Sequence, residues 1–422
     1  MNEGYQERPT EAKITRVFVA RQPIFDRALR VFAYELLFRT SDTDRAHILN
    51  PNAATSQVIT ASFLEIGLDQ VTGGKPAFIN FPRDLLLSGA ATILPADLTV
   101  VEILEDVIPD RAVQAAAIDL KEAGYRLALD DFVHTAGYRE LLRLADIVKV
   151  DFLLTHPQSR QRLVSELSDS AGPSLALLAE KVENQGQFQE ARALGFGLFQ
   201  GYFFSRPVVL SRPSLPAAKT PYMRLLREAH GRDLDLRRVE ELIKSDVSLT
   251  TKLLRYINAA AFPWSREIES VRRALLLLGE AQVRKWLSVV ALSELARGKP
   301  QELATTSCVR GRFCELLGSR IDIGATELEC FLVGSLSLLD AMLDIPLKEA
   351  IDPLALPDTV RRALLKREGD LYLLLDLATS YERAEWDRTL DLCRTLRMPE
   401  SDLPEIYFDT ISWTDNIVGI PT

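Results

Sequence analysis

The chain has 422 residues, 47% of them hydrophobic and 26% charged, with a net charge of −9 and an isoelectric point of about 5.3. This composition excludes a disordered chain and leaves room for two domains with separate cores, while the acidic balance excludes a general affinity for DNA or anionic membranes, so an anionic ligand needs a specific site. The N-terminus lacks an apolar signal core, no apolar run approaches the ~18 residues of a membrane span, and Cys308, Cys314, Cys330 and Cys393 form no C-x-x-C pair; a cytoplasmic protein without a membrane span and with buried thiols is expected.

Residues 1–15 read as a tail. From there to about residue 206, short apolar runs rich in β-branched residues alternate with helical patterns. The runs are FVARQPIFD (18–26), VFAYELLFR (31–39), PAFINF (76–81), LTVVEILE (98–105), RLALDD (126–131), DIVKVD (146–151), LALLAEKVE (175–183) and FGLFQGYFF (196–204). Intervening segments such as 109–125 show the apolar spacing and terminal glycine of crossover helices. Strand and helix in alternation predict a parallel α/β sheet. Only a few residues around Asp26 and Arg27 separate the first two runs, too few for a crossover helix, so that pair is predicted to be an antiparallel hairpin.

The stretch PVVLSRPSLPAAKTP (207–221) contains four prolines and reads as a semi-rigid linker. Beyond it, residues 241–262 place Leu242, Leu249, Leu253 and Ile257 on one helical face, with Asp246 as a cap for the helix that follows. Residues 269–287 form two amphipathic segments broken at Gly279. No strand alternation appears here, so a helical bundle or stacked array is predicted.

Read toward their C-terminal ends, the strand runs offer Glu35, Asn80, Glu102 with Glu105, Asp130 with Asp131, Lys149 with Asp151, Glu180 with Glu183, and Gln200. In a closed α/β barrel these ends share one face. Eight carboxylates gathered there repel unless divalent cations bind, and oxygen-only ligands favour Mg²⁺ or Mn²⁺ over zinc. Asp130 and Asp131 are therefore expected metal ligands, with two bridged ions as one option. Such a site suits phosphoryl chemistry, in which Lys149 holds the attacking water or stabilises charge on the phosphate. For any one residue an ordinary strand-end ion pair is the alternative; the whole set in strand order favours the site.

From about residue 16 to 210 the same motifs, in order, resemble the EAL domain of cyclic di-GMP phosphodiesterases. RQPIFD resembles the opening Gln-Pro strand and YELLFR the name-giving Glu-Ala-Leu with its following Arg. FIN, VEILE, LALDDF, VKVD, AEKVE and QGYFFSRP continue the match. The resemblance implies an EAL-type (β/α)8 barrel with one antiparallel strand that binds cyclic di-GMP and hydrolyses one phosphodiester bond to the linear dinucleotide. It implies Glu35, Asn80, Glu102, Asp130, Asp131 and Glu180 as metal ligands, and Lys149 with Asp151 around the water. Gln200 and Glu183 would support these, Gln22 and Arg39 would contact the ligand, and Glu105 would anchor the loop after Asp131. The chain departs from the pattern at two places. Val133 stands where the family's loop has a glycine, whose backbone freedom valine lacks, and Leu36 replaces the alanine beside Glu35. Weak or conditional turnover is expected on that account.

About residues 215–300 resemble the HDOD domain, a degenerate relative of metal-dependent HD phosphohydrolases, through IKSDVSL, LLRYINAA and VRRALLLLGEAQVRKW. An HD-type site needs several histidines, and only His230 follows the linker, so a role in regulation or protein interaction is expected. Asn258 is expected to make a helix-terminal or packing hydrogen bond. The organisation is then a tail (1–15), an EAL-like barrel domain (16–206), a linker (207–221) and an HDOD-like helical domain with a C-terminal extension (222–422). Two classes stay open: a cyclic di-GMP signalling protein that binds and conditionally hydrolyses the nucleotide, and an inactive scaffold acting through protein contacts. An unidentified protein partner is expected, DNA is not, and a homodimer is left open.

Overall fold

The computed structural model describes residues 17–40, 67–130, 139–170, 175–205, 217–231, 233–258 and 267–418. Eight strands close into a barrel in sequence order. They are β1 (Val17–Asp26), β2 (Val31–Thr40), β3 (Ala77–Phe81), β4 (Thr99–Ile103), β5 (Arg126–Leu129), β6 (Ile147–Asp151), β7 (Ala176–Glu180) and β8 (Leu198–Gln200). β1 runs antiparallel to both neighbours, β2 and β8, and the other pairs are parallel. The predicted hairpin is thus present. Its turn is held by the Asp26 carboxylate, which accepts from the backbone N–H of Ala28 at 2.8 Å and of Arg30 at 2.9 Å, the local bonding that suits Asp to turns.

Each strand falls inside or within one residue of its predicted run. β8 is the shortest, because Gly201 adopts φ +137° and turns the chain into a 3-10 segment, Tyr202–Ser205. Barrel closure between β8 and β1 is backed by aromatic packing: Phe25 lies 4.9 Å from Phe204, and Phe188 stacks on Phe203 at 4.9 Å. Outside the barrel lie α1 (Leu68–Thr72), α2 (Arg83–Leu87), α3 (Arg111–Glu122), α4 (Arg139–Leu144), α5 (Pro157–Ser170) and α6 (Gln185–Ala193). α3 starts at Asp110, whose side chain caps the N–H groups of Ala112 and Val113.

The region after the barrel is helical, as predicted. It comprises α7 (Thr220–His230), α8 (Leu236–Lys244), α9 (Val247–Ile257), α10 (Val271–Leu295), α11 (Gln301–Gly318), α12 (Glu327–Ser335), α13 (Leu339–Leu343), α14 (Leu347–Ile351), α15 (Asp358–Lys366), α16 (Asp370–Glu382), α17 (Trp386–Leu396) and α18 (Leu403–Val418). α7 begins inside the predicted linker, most of which lies outside the described residues. Asp246 caps α9, and Gly279 interrupts α10 with φ +73°. Asn258 clamps the backbone of Ile268 in both directions, each bond 2.8 Å, which is the packing role expected. The four cysteines are buried and unbridged. Among the described residues no helix is long and apolar enough to cross a membrane.

The helices cover one side of the barrel, with α16 and α18 packed on β1. Here the Tyr34 hydroxyl donates to Glu302 at 3.1 Å, and the Arg21 guanidinium lies 4.6 Å above the Tyr34 ring. Burial pushes the Glu302 carboxyl up to about 7 against the pull of Arg21 and Tyr34, with Asp415 and Glu382 adding repulsion. A carboxyl raised in the folded state binds its proton more tightly than in the unfolded chain. Its contribution to stability therefore falls as pH rises from about 4.5 to about 7 and is flat above. Relative to Glu302→Gln, the native chain is expected to lose about 3 kcal/mol across that window, read from urea midpoints; parallel pH profiles for the two proteins would contradict this.

Candidate functional site

Side chains alternate between the two faces of a strand, and that period builds the site. A lower interior tier is apolar: Ile24, Ala33, Phe78, Val100, Ala128, Ile147, Leu178 and Leu198 form one buried cluster. Two residues from each, toward the same barrel end, stands a polar one: Gln22, Glu35, Asn80, Glu102, Asp130, Lys149, Glu180 and Gln200. In seven strands the polar residue follows the apolar one. In β1 it precedes it, because that strand is reversed. Eight of the predicted site residues thus occupy one ring above an apolar plug.

Lys149 is its centre. The ammonium, 1% exposed, lies 2.7 Å from Glu102, 2.8 Å from Glu180, 2.9 Å from Asp130 and 3.4 Å from Glu35. Burial alone would push it down, but Glu102, Glu180, Glu35 and Asp130 outweigh that and hold its pKa well above the usual lysine value. Burial drives the Glu102 carboxyl well up against the pull of Lys149, with Glu35 and Asp130 adding repulsion. Glu180 is raised by the same causes. Neither Glu102 oxygen meets a donor in hydrogen-bond alignment, although Lys149 is within ion-pair distance, and buried Asn80 Oδ1 also lacks a partner among the described residues. An unpartnered amide oxygen beside buried carboxylates makes an all-oxygen donor set that fits a hard divalent ion.

An amide chain supports one side of the ring. Gln200 Nε2 donates to Glu35 at 2.5 Å and to Gln22 Oε1 at 3.1 Å, and Gln22 Nε2 donates to the Tyr202 hydroxyl at 3.3 Å. Leu36, bulkier than the family's alanine, is fully buried in the outer core rather than the barrel interior, so its volume points away from the ring.

The remaining predicted residues are placed differently. Asp151 accepts from the N–H groups of Leu153 at 2.6 Å and Leu154 at 2.8 Å and from Lys181, so both its oxygens are engaged. Glu183 lines the rim. Glu105 is exposed in the turn after β4. Arg39 pairs at 3.0 Å with Asp387 of α17, itself 96% exposed. Asp131 and Val133 lie outside the described residues.

Above the ring opens a cavity of about 1000 Å³, large enough for a dinucleotide-sized ligand. Its roof was missed in the sequence: it is built from Arg310, Arg367 and the corner between α16 and α17, Arg383 to Trp386. Nothing in that stretch matched a motif.

Residues 64–207 match the EAL domain and residues 215–341 the HDOD domain. The chain is 35% identical over 411 residues to the YuxH protein of Bacillus subtilis, covering 96% of this chain and 99% of that one. It is 34% identical over 413 residues to the cyclic di-GMP phosphodiesterase CdgJ of Vibrio cholerae, covering 98% and 95% respectively. The solved YkuI protein of Bacillus subtilis, with an EAL domain and in complex with cyclic di-GMP and calcium, aligns with a TM-score of 0.36 at 20% identity, covering 44% of this chain and 53% of that one. With two domain matches in order and two relatives similar along nearly their whole length, the chain belongs to the EAL–HDOD family.

Proposed function

We propose that the barrel mouth binds cyclic di-GMP with Mg²⁺ or Mn²⁺ and hydrolyses one phosphodiester bond to give the linear dinucleotide, with the helical domain serving regulation or protein contact. The observation that carries this reading is the ring itself, in which every strand turns a polar side chain toward one point, together with the relative acting on that nucleotide. Glu35, Asn80, Glu102, Asp130 and Glu180, with Asp131, would hold the ions. A bound divalent ion supplies polarisation of the phosphate and a more acidic water.

The chain's own groups then have separate tasks. Lys149, kept protonated by four acids, donates hydrogen bonds to the water or to a phosphate oxygen. Gln200 and Gln22 fix the orientation of Glu35. Asp151 braces the loop after β6 and holds Lys181 at the rim, and Glu183 supports the rim beside it. Arg39 reaches a ligand phosphate at small cost, since its pair with Asp387 is exposed and such pairs are worth under about 1 kcal/mol.

A second reading, nucleotide binding without turnover, is favoured by one fact: the Lys149 ammonium already pairs with Glu35, Glu102, Asp130 and Glu180, the same carboxylates that would hold the ions. The test is purified chain with cyclic di-GMP and Mg²⁺ or Mn²⁺, following binding and product together, beside Glu35→Ala and Lys149→Ala. Turnover in the native chain that drops at least about a hundredfold in both variants is expected. Binding without product would select the second reading, and absence of both would sink the two together.

A further inference from the structure

We propose that the ligand site is composite: the corner between α16 and α17 roofs the barrel mouth, and Arg383 on that corner binds a phosphodiester group of the nucleotide held below. This rests on the nucleotide reading of the barrel and deepens it.

Charge is the first argument. The ring sets four carboxylates against one ammonium, an excess that bound divalent ions would bring only close to neutral, so a dianionic ligand above it gains from a further cation outside the ring. Among the described residues five basic ones line the cavity: Lys149, Lys181, Arg310, Arg367 and Arg383. Lys149 is surrounded by the four acids, and Lys181 pairs with Asp151. Arg310 is held by a bidentate pair with Glu382, both bonds 2.9 Å, and by Ser337 at 2.9 Å. Arg367 is exposed at the end of α15, and among the described residues Arg383 has only a loose 3.8 Å pair with Glu385, in which both side chains are about half exposed. Its charge remains available to a ligand.

Position is the second argument. The Arg383 guanidinium lies 4.9 Å over the Tyr202 ring, which orients it without neutralising it. Tyr202 leads through Gln22 and Gln200 to Glu35 and Lys149 by the bonds described above. Roof and floor therefore share one unbroken chain of contacts. The backbone supplies the third argument. Ala384 (φ +55°), Arg367 (φ +58°) and Lys181 (φ +52°) are non-glycine residues in left-handed conformations, and all three line this cavity. At Arg367 and Ala384 this conformation closes the C-terminal ends of α15 and α16, and those closed ends carry lining residues of the cavity.

The test is calorimetric titration of the full chain with cyclic di-GMP in Ca²⁺, a hard cation that takes the same oxygen donors. Arg383→Ala is expected to weaken binding about tenfold, or about 1.4 kcal/mol, and Arg383→Lys to recover most of the loss. Arg394→Ala removes the same charge from an exposed position on α17 outside the cavity lining and is expected to change affinity less than about twofold. Equal or tighter binding by Arg383→Ala would overturn the composite site while leaving the barrel's nucleotide reading in place. Failure of the native chain to bind would remove that reading and the proposal with it.

Discussion

Lys149→Met is expected to lower the stability of the metal-free chain by roughly 3–5 kcal/mol, the cost of leaving buried charges without their partner. Glu102, Glu180, Asp130 and Glu35 all lie within 3.4 Å of the ammonium, and their side chains are between 0% and 16% exposed. Methionine fills most of the same volume, so packing changes little and the charge effect is isolated. Added Mg²⁺ or Mn²⁺ is expected to restore at least half of the loss, because a divalent ion can replace the missing positive charge. A second change, Glu102→Gln in the Lys149→Met background, should be less harmful than in the native chain, since the two residues share one network. Denaturant titrations in chelator and in metal read all three effects. An unchanged midpoint for Lys149→Met in chelator would show that the acids are balanced by something other than this lysine.

Gly201→Ala is expected to cost a comparable amount for a steric reason. A Cβ at this position would stand 2.2 Å from the carbonyl oxygen and 2.5 Å from the nitrogen of Val182, at φ +137°. Val182 donates from that nitrogen to Gln200 O at 2.9 Å and accepts through that oxygen from Phe203 N at 3.1 Å. Alanine must separate these segments, losing two hydrogen bonds of about 1 kcal/mol each and adding strain of about 1–3 kcal/mol. The movement also carries Gln200 away from Glu35, and a displacement of about an ångström in a reacting site costs about a hundredfold in rate. Gly197→Ala is the matched control, because a Cβ there meets nothing within 4 Å. Its stability should change by less than about 1 kcal/mol. Native-like stability in Gly201→Ala would mean that the β7–β8 crossing yields more easily than its contacts imply.

Much of the barrel was legible because a strand writes its two faces in alternate residues. Phe78 with Asn80, Val100 with Glu102 and Ile147 with Lys149 each show the apolar floor and the polar ring in one short run, and the reversed pair Gln22 and Ile24 follows from the hairpin. Residues off the strands carry no such signature. Glu105 has the right spacing from Glu102, yet β4 ends at Ile103 and Glu105 sits exposed in the turn. Arg39 lies on a strand, but its partner Asp387 is hundreds of residues away, and only tertiary packing brings them together. The roof was illegible for the same reason. Arg383 and Trp386 sit at a turn between two ordinary amphipathic helices, and nothing local marks that turn as covering a cavity. Leu36 shows the converse: its bulk looked disruptive beside Glu35 in sequence, and alternation sends it to the opposite face.

The reversed β1 also sets the order in which the chain can be completed during synthesis. The β1–β2 hairpin is made before the other barrel strands, yet its free edge is satisfied only when Ile24 can pair with Gln200, and its outer side only when α16 and α18 arrive. At about 5–20 residues per second, that edge stays open for on the order of ten seconds or more. An unpaired strand edge is a template for pairing with another chain, so crowded polysomes and slow translation expose this protein to aggregation well before its site exists. A chain cut short after β8 would hold all eight strands while leaving the outer face of its first strand bare.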